Sequence, residues 1–318
     1  MRLLLGTLVF TAAVLPAAAA PILDGMRDVS YELRSVQTVE TQFGDGNPNG
    51  GSELDAAYAW VEGGTLYLML TGNLENNFNK LNVFIDSRAG GENVLTNDAN
   101  FGGNNPANDG WAAKYAGFAF DTGFDADYLL ILRNGNVGGD RFDVDFAVVG
   151  GGAGAFEAAT NIFGGSLNGS NANALPMAGI GVAFDRSNTA GVLGGTGAAN
   201  QTAAAAVMTG IELAIPLAAL GNPDPGDILI TAMINGANHD YLSNQFLGGL
   251  MPPQGNLGGD GNGAFNGTVG QINLQSGSYA SGNQFVSVAA PSAVPEPSTM
   301  ALIGLGLVGM WRLGQRCR

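Results

Sequence analysis

Ala57 to Thr71 reads Ala-Tyr-Ala-Trp-Val-Glu-Gly-Gly-Thr-Leu-Tyr-Leu-Met-Leu-Thr. Leu66, Leu68 and Leu70 recur at every second position, which places their side chains on one face of an extended strand. Glu62-Gly63-Gly64 has turn chemistry, so Ala56 to Val61 and Thr65 to Thr71 form a predicted antiparallel hairpin. The same alternation returns in Lys80 to Asp86, where Leu81, Val83 and Ile85 share one face and Asn82 and Asp86 the other. In Arg141 to Val149, Phe142, Val144, Phe146 and Val148 alternate with Asp143, Asp145 and Ala147.

Outward from this hairpin, the period-2 reading predicts further strands. They cover Val36 to Phe43, Ala116 to Phe120, Asp127 to Arg133, Ile180 to Asp185, Val207 to Ile215, Ile228 to Asn235 and Gln284 to Val288. Asn134-Gly135 opens another tight connection. A short helix is expected at Leu217 to Leu220, started by Pro216 and ended by Gly221. Strands with no long 3.6-period segment between them predict an all-β fold, a two-sheet antiparallel β-sandwich. Glu92 to Trp111, Gly150 to Leu175 and Gly248 to Gly267 read as long Gly/Asn-rich loops.

Of 318 residues, 46% are hydrophobic, so a large core is available despite 51 glycines. Twelve Lys and Arg stand against 27 Asp and Glu, a formal net charge of −15. That balance excludes nucleic acid, whose phosphates need a basic surface, and disfavours anionic membrane surfaces. Divalent cations and neutral polymers remain compatible with it. The single cysteine is Cys317, the penultimate residue of the sequence. The rest of the chain therefore has no disulfide, thiolate metal site or cysteine nucleophile.

Both ends read as signals. Met1-Arg2 is a short positive region, Leu3 to Leu15 an apolar one, and Ala17 to Ala20 a small-residue cleavage zone. Cleavage after Ala19 is preferred, because cleavage after Ala20 would leave Pro21 first. The expected organisation is a signal peptide over 1–19, a β-sandwich domain over 20–290, a Pro-rich linker over 291–299, and a hydrophobic segment with a basic end over 300–318. Met300 to Trp311 is uncharged, and twelve helical residues rise only about 18 Å. A bilayer core is roughly 30 Å thick, so the segment suits brief rather than permanent membrane residence. The alternative is a buried C-terminal helix of the domain. Pro295-Glu296-Pro297, the apolar run and the Arg312, Arg316 and Arg318 end together resemble the PEP-CTERM tail. Exosortase-type enzymes process that tail on exported proteins of Gram-negative bacteria. The resemblance implies signal peptidase and an exosortase-type enzyme as partners, with transient membrane insertion. The implied destination is the cell envelope, outer surface or extracellular polysaccharide matrix.

The body carries a second resemblance. Leu23-Asp24-Gly25 with Asp28 opens it, the hairpin over Ala57 to Thr71 and Leu81 to Asp86 follow, and Gly210 to Leu217 (GIELAIPL) with Leu220-Gly221 comes late. This order is similar to DOMON-like sandwiches related to family-9 carbohydrate-binding modules, over roughly Ile22 to Val288. The resemblance implies the sandwich, and domains of this kind bind sugars or haem. The sugar-binding modules grip their ligand with a tryptophan pair that has no residue-by-residue match in this chain.

Candidate chemistry is sparse. Asp45-x-Asn47-x-Asn49-Gly50 repeats oxygen ligands in the manner of a calcium loop. The closing Glu position holds Ala56, leaving Glu53 or Asp55 as substitutes, and a solvated turn is the competing reading. Asp121, Asp125 and Asp127 read either as a second cation cluster or as an edge charge row that blocks aggregation. Sugar stacking would need exposed aromatic faces. Trp111 and Tyr115 are the candidates, with Trp60 and Tyr58 either a platform or core residues. The sole histidine, His239, has no partner motif, and no nucleophile elbow or zinc-helix signature occurs. No catalytic residue is assigned. The expectation is a non-enzymatic exported protein, with a carbohydrate-binding module as the alternative and a glycoside hydrolase or lyase third.

Overall fold

The computed structural model describes residues 19–44, 51–97, 110–151, 156–223, 228–277, 279–280, 282 and 284–288. The chain divides into Ala20–Ala290 and a second unit made of its two ends, which lies almost wholly outside the described residues. In chain order, the first elements are β1 (Glu32–Val36), β2 (Glu53–Glu62), β3 (Thr65–Asn73), β4 (Lys80–Asp86) and α1 (Trp111–Tyr115). They are followed by β5 (Tyr128–Asn136), β6 (Asp140–Val148), β7 (Phe156–Ala159), β8 (Gly169–Leu175) and β9 (Ile180–Phe184). The last are α2 (Gln201–Ala206), β10 (Gly210–Pro216), β11 (Ile228–Asn235), β12 (Leu242–Leu247) and β13 (Val286–Val288).

The strands build two antiparallel sheets, one in the order β1-β2-β3-β10-β9-β8 and the other β12-β11-β4-β5-β6-β7, with β13 also on β11. The predicted hairpin is present, with Trp60 opposite Tyr67 and Val61 opposite Leu66. Leu66, Leu68 and Leu70 face Val83, Ile85, Leu130, Leu132, Val144 and Ile230 across the gap between the sheets. Strict alternation is what allows each strand to give one whole face to this core. The fold is therefore the expected all-β sandwich. The short helix is also in place, as a 3-10 turn over Leu217–Leu220 ended by Gly221 at φ 81, a left-handed conformation that glycine adopts without cost. Among the described residues no helix is long and apolar enough to cross a membrane, and the signal peptide and tail fall outside them.

A second core lies on the outer face of the seven-stranded sheet. Leu95, Trp111, Tyr115, Phe118, Phe120, Phe124, Leu250, Leu257 and Ile272 form a roof over Phe84, Leu129, Ile131 and Met233. Ala116 to Phe120, expected as a strand, belongs to this roof. Its backbone bonds go to two separate segments, at Asn93–Leu95 and at Ile272–Leu274, rather than into one ladder. Val36 to Phe43 is likewise not a strand beyond Val36. Val39 and Thr41 make isolated bridges to Ala198 and Gly194, while the ladder itself begins at Glu32.

Gly150 to Leu175, expected as a loop, contains β7 and β8. β8 is Gly-Ser-Asn-Ala-Asn-Ala-Leu, with almost no apolar alternation to reveal it. β12 was hidden for the opposite reason, since its polar Ser243, Asn244 and Gln245 are fully buried. Gln245 Oε1 accepts from Leu54 N at 3.0 Å, and Asn244 Nδ2 donates to Glu40 O at 2.7 Å, so these side chains replace missing backbone partners.

The two phrases Asp24-Gly25 and Glu212 of β10 meet in one joint. Asp24 N and Gly25 N donate to Glu212 Oε2 at 2.9 and 3.0 Å, and Tyr31 Oη donates to Oε1 at 2.7 Å. Any side chain at residue 25 would collide with Asp185, since a Cβ there would fall 2.6 Å from Asp185 N. The joint straps the chain's beginning across the outer face of the six-stranded sheet. Burial holds the Glu212 carboxyl above its ordinary pKa, against the opposing effect of the Tyr31, Gly25 and Asp24 bonds.

Candidate functional site

Trp111 and Tyr115 do not offer stacking faces. They are 2% and 0% exposed, because α1 turns its aromatic side down onto the sheet. Tyr115 Oη donates to Asn82 Oδ1 at 3.1 Å and accepts from Asn235 Nδ2 at 3.1 Å. Its ring meets Phe84 and Phe118 edge-on at 5.5 Å and His239 at 6.0 Å. Burial pushes the Tyr115 hydroxyl well above the ordinary phenol range. The expectation of a sugar site at this pair is corrected: a residue that begins a helix over an apolar sheet face serves the roof. His239 is buried in the same layer, with φ 54.

The same face of the seven-stranded sheet also carries charge. Asn235, Lys80, Arg133 and Asp143 stand opposite one another across β11, β4, β5 and β6. Arg133 Nη1 and Nη2 reach Asp145 Oδ2 and Oδ1 at 2.7 and 3.3 Å, and Nε lies 3.6 Å from Asp143 Oδ2. Arg141 Nη2 holds the same Asp143 carboxylate at 2.6 Å. Lys80 Nζ donates to Ala237 O. A forked guanidinium bond of this kind tolerates burial because both carboxylate oxygens are engaged.

The second aromatic pair divides. Tyr58 is buried, with its hydroxyl donating to Ala205 O at 2.9 Å and the Arg27 guanidinium 4.5 Å above its ring. Trp60 lies on the same strand face, half-buried, with Nε1 donating to Glu62 Oε2 at 3.4 Å. Its cross-strand neighbour Tyr67 is also half-buried, and Ala214 stands beside Tyr67 on β10. The accessible aromatic surface of this sheet is thus Trp60 with Tyr67, a partner that single-strand reading could not find because it sits across the ladder.

Of the calcium-loop residues, Asp45, Asn47 and Asn49 fall outside the described residues. Asp55 is buried at a register shift in β2, where Val192 N donates to Oδ1 at 2.8 Å and Asn188 Nδ2 to Oδ2 at 3.2 Å. Asn188 Nδ2 also donates to Glu53 Oε1 at 2.5 Å. Burial raises the Asp55 carboxyl to about 7, against the lowering effect of those two bonds. Among the described residues no group of three or more His, Cys, Asp or Glu is arranged to hold a metal ion.

Asp121, Asp125 and Asp127 also separate. Asp121 is buried and accepts from Thr122 N at 2.7 Å, while Asp125 is exposed. Asp127 is buried and accepts from Ser87 N, Arg88 N and Arg88 Nε at 2.9, 3.0 and 3.2 Å. The Arg88 guanidinium lies 4.9 Å over the Tyr128 ring. Here the sandwich has an open cleft of about 410 Å³, lined by Asp86, Ser87, Arg88, Ala89, Gly221, Asn222 and Pro223. Burial, with Asp127 and Asp125 nearby, lifts the Asp86 carboxyl to about 6 although Asp125 N donates to it at 3.0 Å. Sequence alone marked Asp86 only as the end of a strand.

Pro295, Glu296, Pro297, Arg312, Arg316 and Arg318 lie outside the described residues. A family profile described as the PEP-CTERM protein-sorting motif matches residues 293–316. No curated protein and no solved structure matches the chain. The matched segment spans the linker motif, the apolar run and the basic end together, so this sandwich carries a PEP-CTERM sorting tail, the mark of bacterial export and of exosortase processing at the cell surface.

Proposed function

We propose that the chain is a non-enzymatic exported protein of a Gram-negative bacterium, sorted through its PEP-CTERM tail to the envelope or the extracellular polysaccharide matrix. The observation that carries this is the sorting-motif match at residues 293–316. A body without thiols, held together by two apolar cores, suits life outside the cell. In producing cells, the surface fraction is expected to contain protein lacking Arg318 at its C-terminus by mass spectrometry. Replacing Pro295-Glu296-Pro297 with alanines is expected to leave the tail in place. An intact C-terminus in the surface fraction would overturn the reading. Release of reducing ends from matrix polymer by the purified protein would remove the non-enzymatic part.

A second reading is carbohydrate binding by a DOMON-like sandwich. It is favoured by the half-buried Trp60–Tyr67 pair, whose faces suit a pyranose ring beside the Glu62 carboxylate. The joint between Asp24-Gly25 and Glu212 supports the DOMON-like part, because it gives those shared phrases one structural purpose. Retention on a panel of neutral polysaccharides, lost in Trp60→Ala and Tyr67→Ala, is the expected result; no retention on any glycan removes it.

A further inference from the structure

The described chain ends at Val288, paired with Ile228 at the start of β11. On the other side of β11, Leu229 stands opposite Asp86 at the end of β4. Ser87 Oγ donates to Leu220 O at 3.1 Å, which brings the turn at Gly221–Pro223 to the same end of the sandwich. The exit of β13 and the cleft beside Arg88 therefore share one end. Asn235, Lys80 and the β5–β6 turn at Val137–Gly139 mark the other, a β11 length of eight residues away, or about 26 Å.

Pro295 follows Val288 by seven positions. An extended chain of that length reaches about 25 Å at most. An enzyme that reads Pro295-Glu296-Pro297 at the membrane thus works within one strand length of the β13 exit. We propose that the end of the sandwich bearing Asp86, Ala89, Asn222 and Asp125 is the surface that docks on the processing enzyme, with the Val137 end pointing away. This rests on the sorting reading above and adds the partner surface to it. Asp125 is exposed and Asp86 partly so, while Arg88 is already paired with Asp127. The docking end is therefore acidic, which fits a basic face on the enzyme and disfavours direct contact with anionic lipid.

The test uses the full chain in cells that contain the processing enzyme. A photo-crosslinking residue is placed at Ala89 or, as the distant control, at Val137, which is 67% exposed. Adducts to the processing enzyme are expected from position 89 at least five-fold above position 137. Asp125→Lys is expected to slow tail removal several-fold, while Asp140→Lys at the far end leaves it unchanged. Equal adduct yields from the two positions, or no adduct while tails are removed normally, would overturn the docking end and leave sorting intact. Normal tail removal after Pro295-Glu296-Pro297→Ala would instead defeat the sorting reading itself.

Discussion

The two outer faces of the sandwich begin from similar strand patterns and end differently. On the seven-stranded sheet, the face opposite the core carries Phe84, Leu129 and Ile131 beneath the aromatic roof, and Arg133 and Asp145 on the same face are buried as well. On the six-stranded sheet, Tyr31, Ala56, Tyr58 and Met69 form a small covered cluster beside the buried Thr71, Ala183 and Glu212, while Trp60 and Tyr67 stay half open. An alternating strand states which side chains are together, but what lies over its second face is decided by segments far away in the chain. The roofed face has become interior, where a lost atom leaves a cavity and an unpaired charge is penalised. The strapped face remains close to solvent, where substitutions are mild and a ligand can approach.

This contrast can be broken most forcefully through the roof. Phe118→Ala and Phe120→Ala should each cost about 3–5 kcal/mol, read as a shift in the denaturation midpoint, because both rings are buried among others. Arg133→Met, which strands Asp145 without its fork, is expected to cost about 3–5 kcal/mol. Pairing it with Asp145→Leu should recover much of that loss; no recovery would mean that the charged row is needed for more than mutual compensation.

A smaller effect is expected where β2 meets the Asn188–Val192 segment. The folded pKa of Asp55 is raised to about 7 from an ordinary 3.8, so its proton is held more tightly in the folded protein. The stabilising contribution of protonation is full below about pH 4 and lost as pH rises through 7. Asp55→Asn cannot ionise, so its melting temperature relative to the parent should increase from pH 5 to pH 8. A pH-independent difference would show that Asp55 is not the titrating group. The mildest change is Trp60→Ala, expected to cost about 1 kcal/mol or less while abolishing any glycan retention. A cost like that of Phe118 would place Trp60 in a closed core instead.

Much of this was visible in the residues themselves. Lys80 to Asp86 and Ile228 to Asn235 match β4 and β11 end for end, since their apolar positions alternate without interruption. The turn at Leu217–Leu220 was equally legible, because Pro216 and Gly221 frame it chemically. The roof was not. Phe118 and Phe120 alternate as strand residues do, yet they cover a sheet rather than join one. Trp111 and Tyr115 stood in an Asn-rich stretch that suggested exposure, and only the underlying Phe84 and Asn82 explain their burial. β8 and β12 escaped notice because edge strands can be held by side-chain amides and backbone pairing with little apolar signal.

β10 lies between β3 and β9 in the six-stranded sheet, and its Glu212 grips residues nearly two hundred positions earlier. Neither the middle of that sheet nor its N-terminal strap can close until β10, about two-thirds of the way along the polypeptide, is present. Pairings between such distant segments form slowly. A chain with this wiring stays threadable through most of its synthesis, which is the physical condition that passage through a narrow export channel demands.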